Sequence, residues 1–117
     1  MEIYETEEGG SIVLHIAGRV NSVNAPKLSE RLTARLQPGC RPMVVDLSRL
    51  DHMTSAGFRA LLIAERQTHS MGATMVIYGL EGLTFELFEI GGFLEMFTVV
   101  ASREEALRQA RAARSGN

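Results

Sequence analysis

Short apolar runs alternate along this chain with longer segments of helical periodicity, and this alternation restricts the fold more than any other feature. The first two runs, 2–7 and 11–17, flank the turn-forming pair Gly9-Gly10 and therefore predict a β-hairpin. Further strands are predicted at 43–47, 73–78 and 96–100, and helices at 25–36, 55–68, 82–90 and from 103 onwards. Strands that alternate with helices favour parallel crossovers. The sequence thus predicts an α/β fold, a small mixed β-sheet with about four α-helices packed against it.

Two of the predicted helices carry clear boundary signals. Asn24 is expected to cap the first helix, and Pro38-Gly39 to end it. Ser102 followed three residues later by Glu105 has the pattern of a capping box, in which the serine oxygen accepts a hydrogen bond from a free amide of the first turn. This pattern predicts the start of the last helix.

A single domain accounts for the length and composition of the chain. With 117 residues, 45% of them hydrophobic, folding buries roughly two-thirds of the surface that the unfolded chain exposes. We predict one domain over 1–113 and a frayed C-terminal tail at 114–117. Cys40 is the only cysteine, which excludes an internal disulfide and any zinc site built on paired cysteines. A lone thiol favours the reducing cytoplasm.

Charge and hydropathy argue against membrane proteins and nucleic-acid-binding proteins. No apolar run approaches the roughly 20 residues of a membrane-spanning helix, and the acidic N-terminal segment contrasts with the basic start of a secretory signal. We expect no membrane span and a cytoplasmic location. The formal charge is −2, Lys27 is the only lysine and tryptophan is absent, so no basic, aromatic surface for nucleic acid is predicted.

The segment 44–62 contains the candidate functional residues. An apolar strand ending near Asp46 leads through a polar loop at 48–54 into an apolar helix with Gly57 in its first turn. Ligands of open α/β sheets commonly bind where such strands end. Ser55 is expected to be the N-cap, and its replacement by alanine to cost about 0.5–2 kcal/mol of stability. On these residues alone, Ser55 is interpreted as a helix cap.

Three short motifs occur along the chain in a recognisable order. The first is Gly-Arg-Val-Asn at 18–21 with the helix start at 24–28, and the last is the segment 87–97, rich in phenylalanine and glycine. The central motif, at 54–58, reads Thr-Ser-Ala-Gly-Phe. In this order they resemble the motifs of the STAS domain family, the anti-sigma factor antagonists. Many phosphorylated members have Asp where this chain has Asn21 and Thr54, which keep a hydrogen-bonding side chain and lose a carboxylate.

The resemblance implies a function, in which Ser55 is the phosphoacceptor. Unmodified, such a domain binds an anti-sigma factor and frees the sigma factor; phosphorylated, it releases that partner. The residues that the resemblance places at the site or at the partner are Asn21, Asp46, Thr54, Ala56, Gly57 and Arg59. It also implies that the anti-sigma factor is a serine kinase supplying ATP and Mg²⁺, and that a PP2C-type phosphatase reverses the reaction. The domain itself is then not an enzyme and has no cofactor.

A phosphate at Ser55 is suited to a binding switch. Free N–H groups and the positive end of the helix dipole accommodate its charge of roughly −1.5 to −2, so the domain stays folded. If the adjoining surface docks a partner, the same charge must lose its water there. A cost of ~2.8 kcal/mol already lowers the affinity about a hundredfold.

Three alternatives remain open. A receiver domain would use Asp46 and Asp51 to hold Mg²⁺, but it also needs an acidic pair after its first strand, and 12–20 contains no Asp or Glu. A STAS-type subunit of a lipid-transport or stressosome assembly would bind its partners permanently. A small-molecule or nucleotide sensor would gain heat stability from its ligand.

The histidines at 15, 52 and 69 lack the i, i+4 spacing of metal ligands, so no metal site is predicted.

The segment 81–97 is both apolar and acidic. Its large apolar side chains are compatible with a hydrophobic ligand groove, but at helical spacing most of them are expected in the core: Leu83, Phe85, Leu87, Phe88, Ile90, Phe93, Met96 and Phe97. Its acidic residues, with no basic residue between them, are Glu81, Glu86, Glu89 and Glu95. We interpret them as a solvated face; an acidic surface that receives a basic partner is the alternative.

Overall fold

The computed structural model describes the backbone of residues 1–115 and the side chains of 1–113. Its strands are β1 (Glu2–Glu8), β2 (Ser11–Val20), β3 (Met43–Met53), β4 (Met75–Tyr78) and β5 (Thr98–Val100). Its helices are α1 (Ala25–Thr33), α2 (Ser55–Ser70), α3 (Gly82–Ile90) and α4 (Arg103–Ser115), with a 3₁₀ turn at Phe93–Glu95. The tail predicted at 114–117 lies outside the described residues, apart from the helical backbone at 114 and 115.

The strands form one five-stranded sheet in the order β1-β2-β3-β4-β5. β1 and β2 are the antiparallel hairpin predicted around Gly9-Gly10, whereas β2, β3, β4 and β5 are parallel to one another. Each parallel connection contains a helix. The predicted α/β fold, a mixed sheet with four helices, is therefore confirmed.

Both faces of the sheet are covered, because successive residues of the central strands point to opposite sides. On one face, Leu14 and Val45 belong to the larger core, which they share with α1, α2 and α3. On the other face, Val13 and Val44 pack with Ala106 of α4. Burial on both faces explains why these strands read as continuous apolar runs in the sequence.

Aromatic contacts fix α3 against α2. The ring centroids of Phe58 and Phe88 lie 4.8 Å apart, and Phe58 stacks on Phe93 at 5.4 Å. Phe88 also contacts Phe97 at 5.7 Å and is completely buried. This cluster holds the 3₁₀ turn and α3 beside the first half of α2.

The sequence prediction was wrong about the residues that follow the apolar part of β3. Positions 48–54 were expected to form a loop, but the strand continues to Met53, paired in parallel with an equally extended β2. The pairing has two register shifts, one of them next to Gly18. Helix α1, by contrast, is shorter than predicted, because it ends at Thr33 and not near Leu36. The extension of β3 determines where the next helix begins.

Candidate functional site

The two longest strands, β2 and β3, end side by side, and most of the candidate residues lie at or just after these ends. Beyond the last residue of β4, only β2 and β3 continue, and Val20 is paired with Met53 at their ends. The Thr54 N–H then donates a 2.9 Å hydrogen bond to the Val20 carbonyl oxygen. Because this bond ties the start of α2 to the end of β2, residues on both connections lie side by side.

Thr54, not Ser55, is the N-cap of α2. Its backbone is extended (φ −81°, ψ 173°), and its carbonyl oxygen accepts hydrogen bonds from Gly57 N–H at 2.9 Å and Phe58 N–H at 3.3 Å. Ser55 is the first helical residue and is exposed. Within 1–115, the amides of Ser55 and Ala56 have no acceptor, as expected for the first turn of a helix. The Ser55 side chain is therefore exposed to solvent, next to free N–H donors and the positive end of the α2 helix dipole.

The first turn of α2 packs directly on the strands below it. A Cβ at Gly57 would lie 2.5 Å from Met53 Cγ and 2.9 Å from Val20 Cγ1, so only glycine fits there. The Thr54 Oγ1 atom is buried and has no hydrogen-bond partner among the described residues. The threonine hydroxyl thus does not cap the helix, and the helix start is held by close packing and by backbone hydrogen bonds.

The neighbouring β2–α1 turn is locked by two asparagines. The Asn21 side-chain oxygen accepts hydrogen bonds from the N–H groups of Val23 and Asn24, at 2.9 Å and 3.1 Å. In return, the Asn24 side-chain oxygen accepts one from Asn21 N–H at 2.8 Å, and its amide donates to the Arg19 carbonyl oxygen. Asn24 is the N-cap residue of α1 as predicted, but its side chain bonds this turn and not the helix amides. Asn21 is exposed close to the α2 start.

Ser55 and Arg59 occupy the ridge between two open hollows. The α2–α3 hollow, about 520 Å³, is lined by His52, Met53, Thr54, Ser55, Phe58, Arg59, Leu62, Leu87 and Phe93. The α1–α2 hollow, about 500 Å³, is lined by Ser22, Ala25, Pro26, Ser29, Ser55, Ala56, Arg59, Ala60 and Ile63. The structure thus brings five of the candidate residues (Thr54, Ser55, Ala56, Gly57 and Arg59) together at this end of α2, with Asn21 in the adjoining turn.

Asp46 is placed elsewhere, which corrects its assignment to this site. It lies in the middle of β3, not at a strand end, and lines neither hollow. The remaining strand separates it from Ser55 by roughly 25 Å at about 3.3 Å per residue. Its carboxylate accepts hydrogen bonds from His15 Nδ1 at 2.7 Å and from Ser48 Oγ at 2.6 Å and Ser48 N–H at 2.9 Å. Asp46 is therefore part of a separate polar cluster on the α4 face.

This polar cluster follows one row across four strands. Tyr4, His15, Asp46 and Tyr78 are successive partners in the sheet, and the Tyr4 ring stacks on His15 at 4.5 Å. Burial acts to raise the pKa of Asp46, but the hydrogen bonds from Ser48, His15 and Tyr78 outweigh it and leave that pKa below its ordinary value. Burial and the Asp46 charge raise the pKa of Tyr78. Sequence reasoning missed the cluster because strand register is needed to align these residues.

Replacing Asp46 by asparagine is expected to lower the free energy of unfolding at pH 7 by about 1–3 kcal/mol, because donors from Ser48 and His15 lose a charged acceptor. Since the folded-state pKa lies below the ordinary 3.8, the carboxylate stabilises the fold above that value and this contribution is lost as the pH falls through the folded-state pKa. Urea unfolding at pH 7 and pH 3 measures the difference, which should shrink at pH 3. Asp51→Asn, at an exposed position, is the control. An equal deficit at both pH values would contradict the prediction.

The described part of the chain contains neither a metal-binding cluster nor a membrane-spanning helix. No group of three or more His, Cys, Asp or Glu side chains within it is arranged to hold a metal ion. None of its helices has the length and apolar character needed to cross a membrane.

Comparison with protein families places these features in a known group. A family model of the STAS domain matches residues 3–106, nearly the whole chain. The chain belongs to the STAS domain family. The resemblance carried by the three sequence motifs is thereby confirmed, and the ridge of Ser55 and Arg59 lies on a STAS domain.

Several proteins similar to this STAS domain are named as anti-sigma factor antagonists. BtrV of Bordetella bronchiseptica, named as an anti-sigma factor antagonist, is 40% identical over 97 residues, which cover 83% of this chain and 84% of BtrV. The structure of an anti-sigma factor antagonist from Mycobacterium paratuberculosis is 19% identical and superposes with a TM-score of 0.84 over 94% of this chain and 93% of the other. The antagonist SpoIIAA, solved in its unphosphorylated form, is 17% identical with a TM-score of 0.70 over 94% and 98%. Both of these structures have the same fold as this chain.

Proposed function

We propose that this STAS domain is an anti-sigma factor antagonist whose binding is switched off by phosphorylation of Ser55. The observation that carries the proposal is the position of Ser55, exposed at the first residue of α2 on the ridge between two hollows. A modification there changes the surface without disturbing the core. The relative named as an anti-sigma factor antagonist, at 40% identity, supports the choice of partner.

Arg59 allows the phosphate to be accommodated within the folded domain. It lies one turn after Ser55, is exposed and forms no ion pair with any residue in 1–113. Side chains four residues apart on a helix are neighbours, and long side chains lean towards the helix N-terminus. The Arg59 guanidinium can therefore reach a phosphate on Ser55. Together with the free amides of Ser55 and Ala56, it supplies compensating positive charge.

The same phosphate opposes docking of a partner on this ridge. The wall of the α2–α3 hollow is largely apolar, with Phe58, Leu62, Leu87 and Phe93 among its residues. A partner that fills this hollow removes water from the adjoining Ser55 side chain. A doubly charged group loses much more hydration free energy there than a hydroxyl does, so modification favours the free state.

The proposal includes the partners that the family resemblance implies. An anti-sigma factor with serine kinase activity supplies ATP and Mg²⁺, and a PP2C-type phosphatase removes the phosphate. The STAS domain contributes the acceptor hydroxyl and the docking surface, and acts in the cytoplasm as a binding module and not as an enzyme. Asn21 and Thr54 stand where many members have Asp, so the kinase has to recognise this domain without a carboxylate at these two positions.

Incubation with the cognate kinase and MgATP is expected to place one phosphate on Ser55, because this is the exposed hydroxyl at the helix start. Peptide mass mapping identifies the modified residue. Ser22, which lines the α1–α2 hollow, and Thr54, whose hydroxyl is buried, serve as internal controls and should remain unmodified. Phosphorylation of a Ser55→Ala protein to the same extent, or a phosphate found on Thr54, would contradict the assignment.

A further inference from the structure

Helix α3 exposes most of the apolar side chains whose helical spacing predicted a place in the core. Leu83 is 62% exposed and Ile90 82%, while only Thr84 and Phe88 of this helix are buried. Exposed large apolar residues on and after the helix are Leu83, Phe85, Leu87, Ile90 and Met96. The prediction that most of this segment is core was therefore wrong. Clustered exposed apolar residues of this kind mark interaction surfaces.

The exposed apolar residues form a stripe with defined edges. Leu83, Leu87 and Ile90 follow each other at i, i+4 and i+7, which places them on one side of the helix. At about 100° per residue, Glu86 lies beside this stripe, about 60° from Leu83, and Glu89 lies about 60° further round the helix on the same side. On its other edge Leu87 also lines the α2–α3 hollow. The stripe, named here the α3 face, is thus continuous with the surface that contains Ser55.

The charge around the α3 face is negative and uncompensated. Glu81, Glu86, Glu89 and Glu95 are exposed and form no ion pair with any residue in 1–113, and the sequence has no Lys, Arg or His between His69 and Arg103. Several acidic residues elsewhere on the surface are paired with arginine, as in Glu5–Arg35, Glu7–Arg41, Glu8–Arg103 and Glu105–Arg108. The α3 region therefore combines a cluster of unpaired acidic side chains with an apolar stripe.

We infer that the α3 face docks a basic amphipathic helix of the anti-sigma partner. The inference rests on the proposed function and specifies the chemistry of the partner. An apolar stripe about two turns long fits the apolar side of another helix, the packing by which grooves recognise amphipathic helices. Lys or Arg residues flanking the partner's stripe would face Glu86 and Glu89. Complementary charge of this kind accelerates association and selects against acidic segments.

Charge reversal on the α3 face tests the electrostatic part of the inference. The double variant Glu86→Lys/Glu89→Lys is expected to bind the purified unphosphorylated partner at least tenfold more weakly at low salt, mainly through slower association. The matched control Glu2→Lys/Glu104→Lys makes the same change in net charge at exposed positions on β1 and α4. It should stay within about twofold of the wild type. Equal effects of the two double variants would overturn the inference, since only net charge would then matter.

Polar replacement tests the apolar part. Leu83→Ser/Ile90→Ser alters two exposed residues, so its melting curve should match that of the wild type, while its affinity should fall about tenfold. Binding within twofold of the wild type would overturn the inference. A concentration-dependent dimer of the chain alone, abolished by this double variant, would also overturn it by assigning the α3 face to a second copy.

The two proposals fail in different ways. If the wild type binds the anti-sigma factor and is released on Ser55 phosphorylation while both α3 variants bind normally, the inference is wrong and the proposed function stands. If the wild-type protein does not bind the anti-sigma factor at all, both are wrong.

Discussion

Protein phosphorylated on Ser55 is expected to bind its anti-sigma partner about a hundredfold more weakly than the unmodified protein, a loss of ~2.8 kcal/mol. Docking on the ridge between the two hollows must strip water from a group of about two negative charges, and Arg59 compensates this only in part. The free energy of unfolding should change by no more than about 1 kcal/mol, because the phosphate meets free amides at the helix start. Calorimetric titration against the partner, with urea unfolding in parallel, measures both quantities.

Two variants at Ser55 distinguish the effect of a negative charge on binding from the effect of losing the hydroxyl. Ser55→Asp should weaken binding tenfold or more, whereas Ser55→Ala should bind normally and resist inactivation by the kinase. The capping loss of about 0.5–2 kcal/mol expected from the sequence no longer applies to Ser55→Ala, since Thr54 is the N-cap; a change within about 0.5 kcal/mol is expected. Ser70→Asp, at the exposed opposite end of α2, is the charge control and should bind normally. Undiminished binding of the phosphorylated protein would refute the switch.

The parts of the fold that follow from burial were predictable from the sequence. Val44 and Val45 face opposite sides of the sheet and both are completely buried, so an uninterrupted apolar run identified the strand. The predicted Ser102 cap at the start of α4 was also confirmed, since Glu105 N–H donates a 3.2 Å hydrogen bond to Ser102 Oγ. In these two places a short stretch of sequence is sufficient to predict the element, because its pattern is compatible with only one local structure.

Features that depend on strand register were not predictable. Ser48, Asp51 and their polar neighbours have the composition of a loop, and only pairing with β2 makes them a strand. This extension of β3 moved the helix cap from Ser55 to Thr54 and placed Asp46 in mid-strand. The α3 face was missed for another reason: helical periodicity identifies an apolar stripe but does not show whether the protein itself covers it.

Gly79→Ala is expected to lower the free energy of unfolding by about 3 kcal/mol. Gly79 directly follows β4 and has φ +88°, where an alanine is strained by about 1–2 kcal/mol. A Cβ there would also lie 2.5 Å from the Ser48 backbone nitrogen and 2.8 Å from Ser48 Cα. Backbone atoms of a paired strand cannot rotate away, so this overlap adds about 1–3 kcal/mol. Urea unfolding at pH 7 measures the total loss.

Gly39→Ala separates the two contributions to that loss. Gly39 has φ +80°, nearly the same conformation, but no atom lies within 4 Å of a Cβ built on it. Its alanine variant should therefore show the backbone strain alone, and equal losses in the two variants would contradict a steric role for Ser48.

The contact between Gly79 and Ser48 also has a functional consequence, because Ser48 lies where β3 leaves β4 and continues towards Thr54. Displacing β3 at Ser48 shifts the start of α2, so folded Gly79→Ala protein should bind the anti-sigma partner more weakly, whereas Gly39→Ala should bind it normally.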